Sequence, residues 1–525
     1  MIPHISRPLP AILLLILATI AGADDSPVNA DILFVGGTIF DGSGAEGVVG
    51  DVAIQGNKIV AVGKFTHGKV LQRINCTGLV IAPGFIDLHN HSDGPIVAPA
   101  TRGNVNYLTQ GCTTIVTGNC GSGPIRVKEF YDKVDAAGSG THVAHLLPQG
   151  SLREFVMQRV NRKPTEEELV KMRDLAAKAM EEGAWGMSTG LIYIPGTCCE
   201  TEELIEIAKV VGSRGGIYAS HIRNESKQLV ESVEEAMQIG REGKMPVHIS
   251  HFKASGADAW GQLRIAANAI EKARTSSEKV TADQYPYIAS STSLEATLLP
   301  TWAGEGGRKK LEERLKDAES RAKIKAAVDK ALSIKRRIQI ASFGPNPEYV
   351  GKSLDEIAAA QKRDTTDLVL DIESRGGARV INFGMNEEEV RMAMQLPWVA
   401  TASDGSARIP DQDQPHPRSY GTFSRKIGLY SVREKVLPLA QAIRSSSGLP
   451  ADILGLTDRG YLRPGLAADI AVFDPKTFVD TATYDHPARY STGLKYVFVA
   501  GTPAIFEGTP TGSLAGRALR KAFKK

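Results

Sequence analysis

The segment Gly84-Phe85-Ile86-Asp87-Leu88-His89-Asn90-His91 places two imidazoles two residues apart. In a strand, residues at that spacing project to the same side, so His89 and His91 can bind one metal ion. Asp87 shares that face and either orients the pair or binds outright. Two more histidines end short apolar runs: His221 in Tyr218-Ala219-Ser220-His221, and His251 in His248-Ile249-Ser250-His251. One His at each of two adjacent strand ends is what a shared metal requires, whereas His248 is out of register with His251 and reads as structural. Asp404, in Ser403-Asp404-Gly405, offers a carboxylate that can bind a metal and take a proton from water. The alternative for Asp404 is a turn-forming residue before Gly. Cys120, in Gly118-Asn119-Cys120-Gly121, offers a thiolate, a good zinc ligand that the metal itself deprotonates. Together these residue types point to metal-assisted hydrolysis.

Such residues need a scaffold that brings distant strand ends together. Eight short apolar or β-branched runs carry them: LVIAPGFIDLHNH, TTIVTGNC, THVAHLL, GAWGMSTG, GIYASHI, PVHISHF, VTADQYPY and WVATASDG. Amphipathic segments lie between several of the runs, and Thr165-Glu166-Glu167-Glu168 is a capping box. Strand–helix alternation predicts a parallel sheet, and eight units predict a (β/α)₈ TIM-like barrel, with an open sheet as the runner-up. The barrel is favoured because reactive residue types end six of the eight runs, where barrel enzymes place their chemistry. Near both chain ends, alternating apolar residues with Gly and Asn turns predict hairpins that pair into one small β-sandwich domain. The boundaries read as 24–82 plus 460–525 for that α/β protein's small domain and 83–459 for the barrel. An excursion at about 288–397, with a charged helix over Lys309 to Leu332, is placed to cover the site.

A net charge of +3 over 525 residues is too small to imply nucleic acid or an anionic membrane surface as a partner. The basic tail Arg520 to Lys525 reads as a solvated frayed end. At the other end, His4 and Arg7 precede the apolar run Ala11 to Ala21, and Ala21-Gly22-Ala23 offers a cleavage site. This describes a secretory signal peptide over 1–23, with an uncleaved anchor as the alternative. The expectation is an exported, periplasmic or extracellular protein with no stable membrane span after cleavage. Its five cysteines make no disulfide scaffold. At least one thiol stays unpaired in an oxidising compartment, and metal ligation by Cys120 would protect it. The adjacent Cys198 and Cys199 read as ordinary loop or core residues.

The set GFIDLHNHSD, GNCG, ASHIRNES, ISHFK, ASDG and HPRSYGTFSR resembles the N-acyl-D-amino-acid deacylases of the amidohydrolase superfamily. The resemblance runs over nearly the whole mature chain and includes the end-domain text GLAADIAVFDP. It implies that Cys120, His221 and His251 hold one tightly bound Zn²⁺, and that His89, His91 and Asp404 form a second, weaker site. Many members of the superfamily bridge two metals with a carboxylated Lys after the fourth strand. Here that strand reads Gly186-Met187-Ser188-Thr189-Gly190, which agrees with the deacylases and argues against hydantoinase or dihydroorotase types. The resemblance further implies a substrate-carboxylate grip of Lys253, Tyr285 and Arg418, with Tyr287 one same-face step from Tyr285. Gln149 stands where the pattern has His.

The implied activity is zinc-dependent hydrolysis of N-acyl-D-amino acids, with Asp404 as the catalytic acid–base group and a small-molecule amide as the partner. The rival enzyme is a metal-dependent dipeptidase or cyclic-amide hydrolase on the same barrel. The rival outside catalysis is an exported zinc-binding homologue, against which the intact Asp404 argues. Pairing of Arg418 with an acidic neighbour such as Asp411 or Asp413 is the alternative to its role in the grip.

Overall fold

Runs buried on both faces must be covered on both faces, and that requirement closes the barrel. In the computed structural model, which describes residues 26–410 and 413–522, the eight strands are Phe85–Asp87, Cys112–Thr117, His142–His145 continued by Leu147–Pro148, Gly186–Gly190, Ile217–His221, Val247–Ile249, Val280–Gln284 and Val399–Thr401. Neighbouring strands pair in parallel. The third strand divides: its first part pairs with the second strand and its last with the fourth, and the Trp185 amide donates to His145 O at 3.0 Å across the join. The ring closes between the eighth and first strands, where Asn90 bridges Gly405 and the His91 amide donates to Gly405 O at 2.8 Å. The expected barrel is therefore present and the open sheet is not. Amphipathic helices including Glu166–Glu181, Thr201–Gly212, Leu229–Gly243 and Gln262–Thr275 cover it outside. Thr165 and Glu168 form the capping box that starts the first of these.

The two chain ends meet in a single nine-stranded sheet. Its long strand Val28–Ile39 pairs with Val48–Gln55, His67–Asn75 and Val80–Pro83. Val80–Pro83 then pairs antiparallel with Ile470–Phe473 from the other end of the chain. The sheet folds over on itself. Phe34 and Phe498 are three strand steps apart, about 14 Å along a flat sheet, yet their ring centroids lie 5.2 Å apart, edge to face. Phe34, Ile54, Ile74, Ile470 and Val472 fill the resulting sandwich core.

After the seventh barrel strand the chain builds a subdomain around Ser290–Ser293, Ile338–Ser342 and Arg379–Asn382, an antiparallel sheet with Arg379–Asn382 in the centre. It has its own core, which includes Leu294, Leu311, Ile324, Ile340 and Leu368. The charged helix expected over Lys309 to Leu332 is two helices, Arg308–Lys316 and Ala318–Ser333. Asp317 between them is extended, and its carboxylate accepts from the Ser320 amide at 2.8 Å, so the residue that ends one helix caps the next.

The expectation of a frayed basic tail is corrected as far as residue 522. The Leu519 amide donates to Val143 O at 2.8 Å, Trp185 Nε1 donates to Leu519 O at 2.6 Å, and Arg520 pairs with Asp135 at 2.7 Å. Complementary charge and a free strand edge dock the tail on the barrel. The segment 1–23 lies outside the described residues. Among the described residues no helix is long and apolar enough to cross a membrane.

Asp469 joins the small domain to the barrel. Its carboxylate accepts from Arg459 at 2.5 Å and the Ala500 amide at 2.7 Å, and lies 3.3 Å from His142 Nε2 on the third barrel strand. Burial raises its pKa, but Arg459 and His142 outweigh burial and hold it well below the ordinary carboxylate range. A depressed folded pKa stabilises above the unfolded value, about 3.9, and that stability is lost as pH falls. Asp469→Asn should cost about 3–5 kcal/mol near neutral pH. Denaturant unfolding should show the gap from wild type shrinking below about pH 4. A gap that is constant across this range would contradict the account.

Candidate metal centre

Cys120 Sγ is the hub of the site. It lies 3.3 Å from His89 Nε2, 3.6 Å from His221 Nδ1 and 3.7 Å from His251 Nε2. His91 Nε2 is 3.0 Å from Asp404 Oδ1, and His89 Nε2 is 3.6 Å from the same oxygen. Three groupings bring their donor atoms within 4.8 Å of one another: His89 with His91 and Cys120, Cys120 with His221 and His251, and His89 with His251 and Asp404. In a tetrahedral thiolate–imidazole metal site the sulfur–nitrogen edge is about 3.6 Å. The three edges at Cys120 match it, so the residues present fit a metal ion.

The backbone is bent to make this hub. Cys120, His251 and Asp404 have φ of 51°, 37° and 50°, a region that residues other than glycine rarely enter. Each such residue stores on the order of 1–3 kcal/mol, which the packed barrel must hold. Gly118 explains part of the GNCG pattern: a Cβ there would lie 2.1 Å from Leu146 O. At the end of the fourth strand, a Cβ on Gly190 would lie 2.2 Å from Cys120 O, which leaves no room for a side chain.

All six expected metal ligands thus converge. Asp87 does not join them: it accepts from the Ser403 amide at 2.8 Å and Asn90 Nδ2 at 2.8 Å, tying the first strand to the eighth. Burial raises its pKa to about 6. His248 bonds Asp283 at 2.8 Å and Thr281 at 2.9 Å, away from the hub. Gln149 turns its amide to Glu203 and Cys199, each at 3.4 Å. Cys198 and Cys199 are free thiols.

The cavity above the hub measures about 610 Å³, and His91, Cys120, Tyr193, Arg379, Asp404 and Arg418 are among the residues lining it. Ser291, Ser293, Ser342 and Arg379 of the inserted subdomain form part of its wall, so the insertion covers the site.

Comparison with known proteins agrees with this geometry. The model of the Amidohydrolase family matches residues 72–505. The D-aminoacylase of Alcaligenes xylosoxydans xylosoxydans is 35% identical over 514 residues, covering 94% of this chain and 98% of the relative. The chain belongs to the amidohydrolase family.

Two solved structures are similar along the same length. A D-aminoacylase with a binuclear metal centre superposes with TM-score 0.81 at 33% identity, over 94% of this amidohydrolase and 100% of that chain. The N-acyl-D-glutamate deacylase of Bordetella bronchiseptica, complexed with zinc and a phosphonate mimic of the reaction's tetrahedral intermediate, superposes with TM-score 0.81 at 31% identity, with the same coverage.

Opposite charges in the amidohydrolase's hub sustain one another. Burial raises the Cys120 pKa, yet His89, His221 and His251 outweigh it and hold the thiol well below its ordinary value. Burial likewise opposes protonation of His91, but Asp404 and Cys120 raise it to about 9. Asp404 is held well below the carboxylate range: burial raises it, while Arg418, His89 and His91 lower it.

Two carboxylates that sequence reasoning did not single out support these ligands. Glu225 accepts from Lys253 at 2.5 Å and lies 2.8 Å from His251 Nδ1 and 3.8 Å from His221 Nε2. Asp283 accepts from the His251 amide at 2.6 Å and lies 3.5 Å from His89 Nδ1. Carboxylates commonly orient metal-bound histidines. The available signals were Glu225 four residues after His221, and Asp283 on the Tyr285 face of its strand.

The expected grip residues also meet. Arg418 pairs with Asp404 at 2.8 Å, not with Asp413. Asp411 lies outside the described residues. The Arg418 guanidinium sits 4.8 Å from the Tyr285 ring centroid, whereas Tyr287 faces Arg425 at 5.0 Å. Lys253 lies 5.9 Å from the Tyr285 ring, with its ammonium held on Glu225 and on His251 O at 3.1 Å. Lys253 therefore places a second positive charge near the Tyr285 ring and is already partnered.

Metal retention tests this arrangement. Cys120→Ala should lose the tightly held ion on dialysis, and Cys199→Ala should keep it. Glu225→Gln should keep the fold but weaken metal affinity about 10- to 100-fold. Equal metal content in wild type, Cys120→Ala and Glu225→Gln after chelator dialysis would remove the hub and its support.

Proposed function

We infer that this amidohydrolase cleaves the amide bond of N-acyl-D-amino acids with zinc, releasing a D-amino acid and a carboxylic acid. The observation that carries the reading is a thiolate–imidazole hub with Asp404 in a cavity that also presents Arg418, stacked over Tyr285. The full-length likeness to D-aminoacylase supports it, as does the likeness to the deacylase complexed with zinc and a phosphonate. Cys120, His221 and His251 would hold one ion tightly, and His89, His91 and Asp404 a second more weakly.

Zinc bound there supplies Lewis acidity, which polarises the amide carbonyl and makes hydroxide available near neutral pH. Asp404 takes the proton of the attacking water and returns it to the leaving amine. Arg418, His89 and His91 outweigh burial and keep it ionised. Arg418 grips the α-carboxylate with a planar fork, Tyr285 backs that fork, and Lys253 adds positive charge. With the amide held at the hub and the carboxylate at Arg418, the two enantiomers would direct their side chains to different parts of the cavity.

The decisive experiment compares N-acetyl-D- with N-acetyl-L-amino acids on the zinc-loaded protein. Only the D series should turn over, and Asp404→Asn should lower kcat about 10²–10⁴-fold. Preference for L substrates, or near-normal kcat in Asp404→Asn, would overturn the reading. We also propose that the chain is exported, on the strength of its basic start, short apolar run and Ala21-Gly22-Ala23. N-terminal sequencing of exported material should begin at Asp24, and recovery of Met1 or Ile2 would refute cleavage.

A further inference from the structure

The cations of the cavity wall are not equivalent. Arg159 pairs with Glu154 at 2.8 Å, Arg408 faces Asp413 at 3.8 Å, and Arg418 pairs with Asp404 at 2.8 Å. Arg379 lines the same cavity, and among the described residues its side chain has no hydrogen bond or ion pair. It begins the central strand of the covering sheet, opposite Ser293 and Ser342, which line the cavity with it. The strand reads exposed at Arg379 and buried from Val380 to Asn382, so the subdomain packs three of its residues and leaves Arg379 exposed where it lines this cavity and an adjoining one.

We propose that Arg379 receives the side-chain carboxylate of the substrate, so that the preferred substrates are N-acyl derivatives of D-amino acids with an acidic side chain. This rests on the deacylase reading and deepens it. A guanidinium holds a carboxylate through two parallel hydrogen bonds, and one without a protein partner in a cavity is matched by an anionic ligand. Arg379 is also close enough to Arg418 and Arg408 that, after burial itself, those two cations act to lower its pKa. A ligand with one carboxylate engages Arg418 and leaves Arg379 without an anion, whereas a dicarboxylic amino acid engages both. Both carboxylates of such a substrate belong to its amino-acid half, on one side of the scissile bond, which fits two arginines that sense each other's charge. An anionic acyl group would lie across that bond, beyond the metal hub.

The test is kcat/KM of the zinc-loaded enzyme for N-acetyl-D-glutamate, its neutral isostere N-acetyl-D-glutamine, N-acetyl-D-leucine and N-succinyl-D-leucine. Wild type should favour the glutamate over the glutamine substrate by about 10- to 150-fold, the range for one charge-assisted contact. Arg379→Met should bring that ratio towards one. Arg379→Glu should invert it, and it keeps the proposal testable if the Met variant folds poorly. A wild-type ratio near one, or a ratio that survives in both variants, overturns the inference. So does an Arg379-dependent gain seen with N-succinyl-D-leucine and not with N-acetyl-D-glutamate, which would place the anion on the acyl side. Turnover of N-acetyl-D-leucine without acidic preference overturns this inference alone, and no turnover of any N-acyl-D-amino acid overturns the deacylase reading with it.

Discussion

The site depends on one sulfur atom being surrounded by three imidazoles that come from three different barrel strands. His221 ends the fifth strand, and Cys120, His89 and His251 follow the second, first and sixth within three residues. A thiolate alone in a buried site is costly. Three nitrogens within 3.7 Å make it tolerable here and leave a cluster of donors at metal-site spacing. Closing the barrel is what brings those strand ends to one point. An open sheet would spread the first and sixth strands apart, which is why barrel closure and metal-site chemistry are one constraint in this chain.

The left-handed backbone at Cys120, His251 and Asp404 shows where the constraint is borne. None of these residues is glycine, so their conformations persist only because the surroundings over-determine them. Asp283 accepts from the backbone amide of His251, Glu225 faces the His251 ring, and the Asp404 amide donates to His89 O at 2.8 Å. These contacts pin main chain as well as side chain. Buried carboxylates thus have two functions: they balance the charge of the imidazoles and hold strained strand ends in place.

Much of this was legible because period-two faces and strand ends carry information in the order of residues. His89 and His91 two apart, and His221 and His251 in matched contexts, announce a shared point once eight runs are counted. Glu225 and Asp283 were not legible in the same way: one sits in a loop and the other within a strand, and only folding shows which imidazole each meets. The break at Asp317 was hidden because charged residues continue through it, and an N-cap differs from a helical Asp only in its backbone. The docked tail was hidden because its partners, Val143, Trp185 and Asp135, lie more than three hundred residues away along the chain.

The cavity draws its lining from two parts of the fold, the barrel with the hub and the insertion. The hub belongs to the barrel, where a small displacement of one strand would disturb several donors at once. The insertion has an independent core of Leu294, Leu311, Ile324 and Leu368, and it reaches the cavity mainly through the ends of its strands. A change at Ser291, Ser342 or Arg379 alters the wall a ligand meets while leaving the strained strand ends as they are. Parallel barrel strands buried on both faces have little freedom to vary. The antiparallel sheet of the insertion is also packed on both faces, with Ile340 and Val380 in one core and Ala341 and Ile381 in another, and it meets the cavity at strand ends such as Ser293, Ser342 and Arg379. Those strand ends can vary without repacking either core, a freedom that the strained strand ends at the hub lack.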